Sequence, residues 1–74
     1  MIDWNLAPDW ARYAAMDKDK TWYWYEERPY SSSIGIWFPI YRIGEKPKFK
    51  SFYALPILIS WDKTLQEKSN ATIN

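Results

Sequence analysis

The chain has no cysteine and no histidine, and only two of its 74 residues are glycine. Without cysteine there is no disulfide and no thiolate nucleophile, and with both residue types missing the usual tetrahedral zinc site cannot be assembled. The lack of histidine also removes the side chain that most often works as general acid or base near neutral pH. Gly35 and Gly44 stand apart from each other, so no glycine-rich loop is present to cradle phosphates. An excess of one charge is missing too. Ten basic and nine acidic residues leave a formal net charge of +1, whereas proteins that bind duplex nucleic acid carry a basic surplus. No apolar run reaches the ~18 residues that suggest a membrane helix, and Met1-Ile2-Asp3-Trp4 has neither a basic nor an apolar leader. A soluble cytoplasmic protein with no membrane or duplex nucleic-acid partner is expected.

Aromatic residues are what the chain has in plenty: six Trp, six Tyr and three Phe. A single domain spanning 1–74 is near the lower size limit for an independent core. Domains this small usually add disulfides or metals. Large aromatics, each able to bury roughly 150–250 Å², are the remaining route to stability. Self-association is another, so a homo-oligomer is expected.

The aromatics concentrate in Thr21-Trp22-Tyr23-Trp24-Tyr25-Glu26-Glu27. As a strand, this run sends Trp22, Trp24 and Glu26 to one face and Tyr23, Tyr25 and Glu27 to the other. Both faces then need cover. Trp10 to Met16 has two readings. As a helix it would place Trp10, Tyr13 and Ala14 on one face, with Pro8 in the first turn. As a strand it forms a hairpin with the aromatic run across Asp17-Lys18-Asp19-Lys20. A three-residue loop sets Met16 opposite Trp22, Ala15 opposite Tyr23, Ala14 opposite Trp24, Tyr13 opposite Tyr25 and Arg12 opposite Glu26. Small then meets large and opposite charges meet, which favours the hairpin. Lys20 falls where such a loop prefers glycine at positive φ. One helical turn around Pro8 to Ala11 precedes it, and Trp4 ties an irregular N-terminal arm to the body.

Farther along, Arg28 to Ser33 reads as a connection and Ile34 to Ile43 as a strand, at an edge or bulged where Pro39 cannot donate. Gly44-Glu45-Lys46-Pro47 is a turn, and Lys48 to Ala54 alternates as a strand. These two segments are expected to make a second hairpin. Ser60 caps a short helix over Trp61 to Lys68, and 69–74 frays. The expected fold is mainly β: a small antiparallel sheet of two hairpins with a short C-terminal helix.

Catalytic supply is poor. Glu26 and Glu27 are adjacent on a strand, so their carboxylates point to opposite faces. Lys18 and Lys20 interleave with Asp17 and Asp19 and oppose a bound cation, and Ser31-Ser32-Ser33 has no base beside it. A non-enzymatic protein without cofactor or metal is expected. Binding is better supplied. Trp24, Tyr25, Trp37 and Tyr41 are candidates to stack on a planar ligand or to fill a protein interface. Arg28, Arg42 and Lys48 are candidates to meet phosphates or an acidic partner. Lys46, Lys48 and Lys50 share one side of a strand, which serves either such contacts or protection of a sheet edge by charge.

Trp4-x-x-Ala7-Pro8-Asp9-Trp10-Ala11-x-Tyr13, Ala15-Met16-Asp17-Lys18-Asp19, Trp22-Tyr23-Trp24-Tyr25-Glu26 and Pro29 resemble small uncharacterised proteins of tailed bacteriophages. Gly35-x-Trp37 and the closing Ser60-Trp61-Asp62-Lys63-Thr64-Leu65 fit the same pattern. The match spans most of the chain and departs from it at Lys20, where the similar proteins often carry glycine. The resemblance implies a phage accessory protein in the host bacterial cytoplasm, of the kind that disables host machinery or host defence. Three readings follow, the first narrowly ahead of the second: sequestration of a nucleotide-type signal by aromatic stacking with Arg and Lys contacts, then inhibition of a host enzyme or defence complex by protein contact. A minor virion or assembly role is the third.

Overall fold

Alternation of small and large side chains across one tight loop sets the centre of the molecule. In the computed structural model, which describes residues 2–69, β1 (Tyr13–Met16) and β2 (Trp22–Tyr25) pair antiparallel with Tyr13 opposite Tyr25, Ala14 opposite Trp24, Ala15 opposite Tyr23 and Met16 opposite Trp22. This is the expected register, and the strand reading of Trp10 to Met16 holds from Tyr13 onward. The alanines are fully buried beneath the rings. Ahead of them, Ala11 donates its amide to the Pro8 carbonyl (3.0 Å), which makes the single turn anticipated there. Pairing stops before the expected Arg12–Glu26 match. Arg12 donates to the Tyr25 carbonyl (2.9 Å), and the Glu26 amide, on the other edge of β2, donates to the Lys48 carbonyl (3.2 Å).

The loop closes as expected: Asp17 donates to the Thr21 carbonyl and Lys20 to the Asp17 carbonyl, both at 2.9 Å. Lys20 sits at φ 74°, in the left-handed region. That conformation costs a non-glycine residue roughly 1–2 kcal/mol, part of which a glycine gives back as unfolded-chain entropy. Lys20→Gly is therefore expected to raise stability by about 0.5–1 kcal/mol. The measurement is a urea midpoint that moves up with an unchanged slope; a midpoint that stays put or falls would refute the strain.

Two further strands, β3 (Tyr30–Ser31) and β4 (Trp37–Phe38), form a small separate hairpin, with Tyr30 opposite Phe38 and Ser31 opposite Trp37. β5 (Phe49–Phe52) joins the main sheet beside β2, and β6 (Gln66–Glu67) joins it beside β1, so the order is β5-β2-β1-β6. Both sheets are antiparallel and the protein is mainly β. Three expectations change here. Arg28 to Ser33, read as a connection, supplies strand β3, which pairs with β4. Lys48 to Ala54 does not pair with Ile34 to Ile43, whose one link across the intervening turn is an isolated bridge between Arg42 and Glu45. It pairs with β2 because Phe52 stacks on Trp24 at 3.8 Å between centroids and 11° between planes. The C-terminal helix is a single 3₁₀ turn, Trp61–Lys63. Ser60 makes no side-chain cap to its backbone; its hydroxyl bonds the Asp62 carboxylate (2.6 Å). The turn ends because the Thr64 hydroxyl accepts from the Met16 amide (2.9 Å), which extends the β1–β6 ladder where a strand carbonyl would stand. The tail expected to fray lies, from residue 70 onward, outside the described residues.

The main sheet therefore has two aromatic faces. Trp22 and Trp24 pack on one face with Ala14, Met16 and Phe52, covered by Ile2, Trp4, Ala7, Trp10 and Ile57. Trp4 lies 5.2 Å from Trp24 between ring centroids, which is the anchoring role expected of it. Its 3₁₀ turn, Trp4–Leu6, is capped by the Asp3 carboxylate accepting from the Asn5 amide (3.0 Å). On the opposite face lie Tyr13, Ala15, Tyr23, Tyr25 and Phe49, and the cover there, supplied by Trp37, Trp61 and Leu65, is partial.

Candidate functional site

The partly covered face is where an open site forms. Tyr23, Tyr25 and Phe49 make a three-ring platform, with Phe49 6.3 Å from each tyrosine and the tyrosines 6.2 Å apart between centroids. Their neighbours in register explain this. Tyr25 faces Phe49 directly across β2 and β5, while Tyr23 faces the small Ser51 and leaves room beside it. The β3–β4 hairpin and the segment after it rise along one side of the platform and contribute Ile36, Trp37, Phe38, Pro39 and Tyr41. Between them is a groove of about 250 Å³ whose lining includes one charged residue, Asp17. Tyr41 is 69% exposed and Phe49 45%.

Hydrogen bonds fix the hairpin wall to the sheet. Asp17 Oδ1 accepts from the Trp37 amide (2.9 Å), the Lys18 amide donates to the Gly35 carbonyl (2.8 Å), and Trp37 Nε1 donates to the Met16 carbonyl (3.0 Å). The Gly35 backbone, at φ 89°, comes so close to Lys18 that an added Cβ would lie 3.1 Å from the lysine Cβ. Burial pushes the Asp17 carboxyl above its ordinary value and nearby Asp19 adds to this, while the Trp37 amide pulls it back. The Tyr25 hydroxyl contacts the Trp37 carbonyl at 3.4 Å. Burial, with the Asp17 charge next in importance, holds that phenol well above its ordinary range.

The structure divides the predicted site residues. Trp24, Tyr25 and Trp37, 3%, 2% and 7% exposed, are core residues. Stacking a planar ligand on their faces would displace Phe52, Phe49 or Trp61, which pack on them, so that role is corrected. Tyr25 and Trp37 still contribute edges to the groove, as Tyr41 does. Arg42 is ion-paired with Glu27. With Lys46 and Lys48 it lines an adjoining crevice of only about 20 Å³, where Glu26, Glu27 and Glu45 balance the three cations. That crevice shares Tyr25 and Pro39 with the groove. Arg28 is elsewhere, over the ring of Tyr13 at 6.0 Å. Tyr23, Phe38 and Phe49 were missed. Their signal was β2 itself, since a strand aromatic on both faces needs cover on both, and the rings left half-covered mark a surface.

Among the described residues no group of three or more acidic side chains is placed to hold a metal, and no helix is long and apolar enough to cross a membrane. No known family model, curated protein or solved structure matches the chain, so a functional reading rests on the groove and its surroundings.

Proposed function

We propose that this chain is a non-enzymatic binding protein that docks part of a partner polypeptide in the groove over Tyr23, Tyr25 and Phe49. The observation that carries the reading is the wall of rings that the fold leaves exposed at Tyr41 and Phe49. Rings of this kind dominate the energetics of protein interfaces. Leu6, Ile34, Ile43, Leu55 and Leu58 are also exposed. Aliphatic side chains do not stack on a base, and their number favours protein contact over capture of a small solute, including contact with a second copy of the chain. The resemblance to phage proteins supports a host enzyme or defence complex as the partner.

A nucleotide-type ligand is the second reading, favoured by the position of Arg42, Lys46 and Lys48 next to the groove. Two features weigh against it. The cationic crevice has room for about one water molecule, and its carboxylates cancel its cations.

The test is capture from bacterial lysate with wild-type protein and with Tyr41→Ala. Tyr41 is exposed, so its loss should change stability by no more than about 0.5 kcal/mol. A stoichiometric partner retained by wild type and released by Tyr41→Ala is the expected result. Calorimetric binding of a cyclic or linear nucleotide with no captured protein would replace this reading with the second.

A further inference from the structure

The shape and chemistry of the groove narrow the class of polypeptide that fits it. The groove lies over a face of the main sheet and not beside its free edge at β5: its floor is Tyr23, Tyr25 and Phe49 of β2 and β5, and its wall is the β3–β4 hairpin with Pro39 and Tyr41. A segment lying there cannot extend the backbone ladder, so each of its own amides would need a separate acceptor. The groove has few. The Trp37 carbonyl already accepts from the Tyr25 hydroxyl, the Ile36 carbonyl from the Ser32 amide and hydroxyl, and Oδ1 of Asp17 from the Trp37 amide. The hydroxyls of Tyr23 and Tyr41 have no hydrogen bond among the described residues, so they can donate to carbonyls of an occupant.

Proline meets these conditions. It has no N–H to leave unsatisfied, its ring packs on aromatic faces, and proline-rich segments arrive already extended, with their carbonyls directed outward. Aromatic-lined grooves on small domains are a recurring solution for such segments. Charge sets the other requirement. The groove lining has no cation and one anion, Asp17. Oδ1 of Asp17 is taken by the Trp37 amide. No buried side-chain polar atom lacks a partner among the described residues, so Oδ2, which has none among them, keeps contact with solvent although Asp17 as a whole is only 6% exposed.

We infer that the groove binds a proline-rich segment of a partner protein in the polyproline II conformation, with a basic residue of that segment against Asp17. This rests on the polypeptide-docking reading above and specifies its ligand. An aromatic groove lined by no cation and by one carboxylate complements proline rings flanked by Arg or Lys better than it does a phosphate.

Calorimetric titration of the full chain tests it with three probes. They are a short polyproline peptide ending in arginines, the same peptide ending in glutamates, and an extended proline-free peptide of alternating apolar and polar residues. The arginine-ended polyproline should bind tightest, and Tyr41→Ala should weaken it about tenfold, as loss of an aromatic anchor does. Asp17→Asn should abolish the preference for arginine over glutamate while leaving the proline-dependent binding. Phe49→Ala serves as a second groove variant, with Tyr41→Ala as the safeguard should Phe49→Ala fail to fold. Equal binding of the two polyproline peptides to wild type would overturn the role of Asp17. Tighter binding of the proline-free peptide, still sensitive to Tyr41→Ala, would overturn the inference while sustaining polypeptide docking. Binding of none of the three would overturn the inference, while a partner captured from lysate and released by Tyr41→Ala would still sustain docking.

Discussion

Trp24→Ala should leave the protein largely unfolded. The Trp24 ring stacks on Phe52 at 3.8 Å, lies 5.2 Å from Trp4, and is 3% exposed. It therefore joins three segments distant in sequence: the N-terminal arm, β2 and β5. Truncating a buried Trp costs roughly 3–5 kcal/mol. A chain of 74 residues has about 4–11 kcal/mol of stability in total. The loss is thus a large share of what exists, and with no cysteine or histidine neither a disulfide nor a zinc site of the usual kind offsets it. Chemical denaturation followed by tryptophan fluorescence should show the midpoint collapsing toward zero denaturant. Tyr41→Ala, on the exposed wall of the groove, should leave the midpoint nearly unchanged. A Trp24→Ala protein that folds normally and loses only ligand binding would return Trp24 to the stacking role that its composition first suggested.

What was legible in the residues and what was not follow from the same physics. The β1–β2 register could be read because small residues opposite large rings, a three-residue loop and a polar turn cluster agreed on it, against one mismatch at Lys20. All three depend only on neighbours close in sequence. The partner of β5 could not be read that way. Alternation over Lys48 to Ala54 says which side chains share a face, but it does not say which strand lies alongside. That choice was made by the stacking of Phe52 on Trp24 and of Phe49 on Tyr25, long-range contacts that outweighed the local turn at Gly44. The C-terminal helix failed for a related reason. Helical spacing over Trp61 to Lys68 competed with a buried hydroxyl site on β1, and Thr64 took it. One 3₁₀ turn survives, and Gln66–Glu67 becomes an edge strand.

The candidate site was legible as a composition and not as a set of residues. The aromatic run announced a surface or a core, and it supplies both: Trp22 and Trp24 to the core, Tyr23 to the platform. Sequence spacing separates the two faces of a strand but does not rank them by cover. The tryptophan face is closed because the N-terminal arm and Ile57 fold over it. The tyrosine face stays open because the hairpin that reaches it is only two residues wide on each strand. Arg42 and Lys48 were attractive as cations, but Glu26 and Glu27 are remote from them in sequence, and only the fold brings those two beside Glu45 in the same crevice.

Replacing Asp17 by alanine and by asparagine should give opposite outcomes, and their comparison over pH should isolate one carboxylate among nine acidic residues. Asp17→Ala removes the acceptor of the buried Trp37 amide. An orphaned buried N–H costs about 1–3 kcal/mol, and the β3–β4 wall of the groove loosens with it. Asp17→Asn keeps an oxygen in the same place and removes the charge, so its stability at neutral pH should lie within about 1 kcal/mol of wild type or above it. The pH dependence has a definite sign. Burial raises the folded-state pKa of Asp17 above its value of 3.8 in the open chain. Below 3.8 both states hold the proton and the contribution of this group is fully favourable. As pH rises from there through the raised folded value, the folded state gives up a proton that it binds more tightly than the unfolded chain does, and stability falls. The stability of wild type minus that of Asp17→Asn, measured by urea unfolding from acid to neutral pH, should therefore decline across that window and then level off. A difference that rises with pH would mean that the Trp37 amide outweighs desolvation, and that the groove holds Asp17 as a stabilised anion.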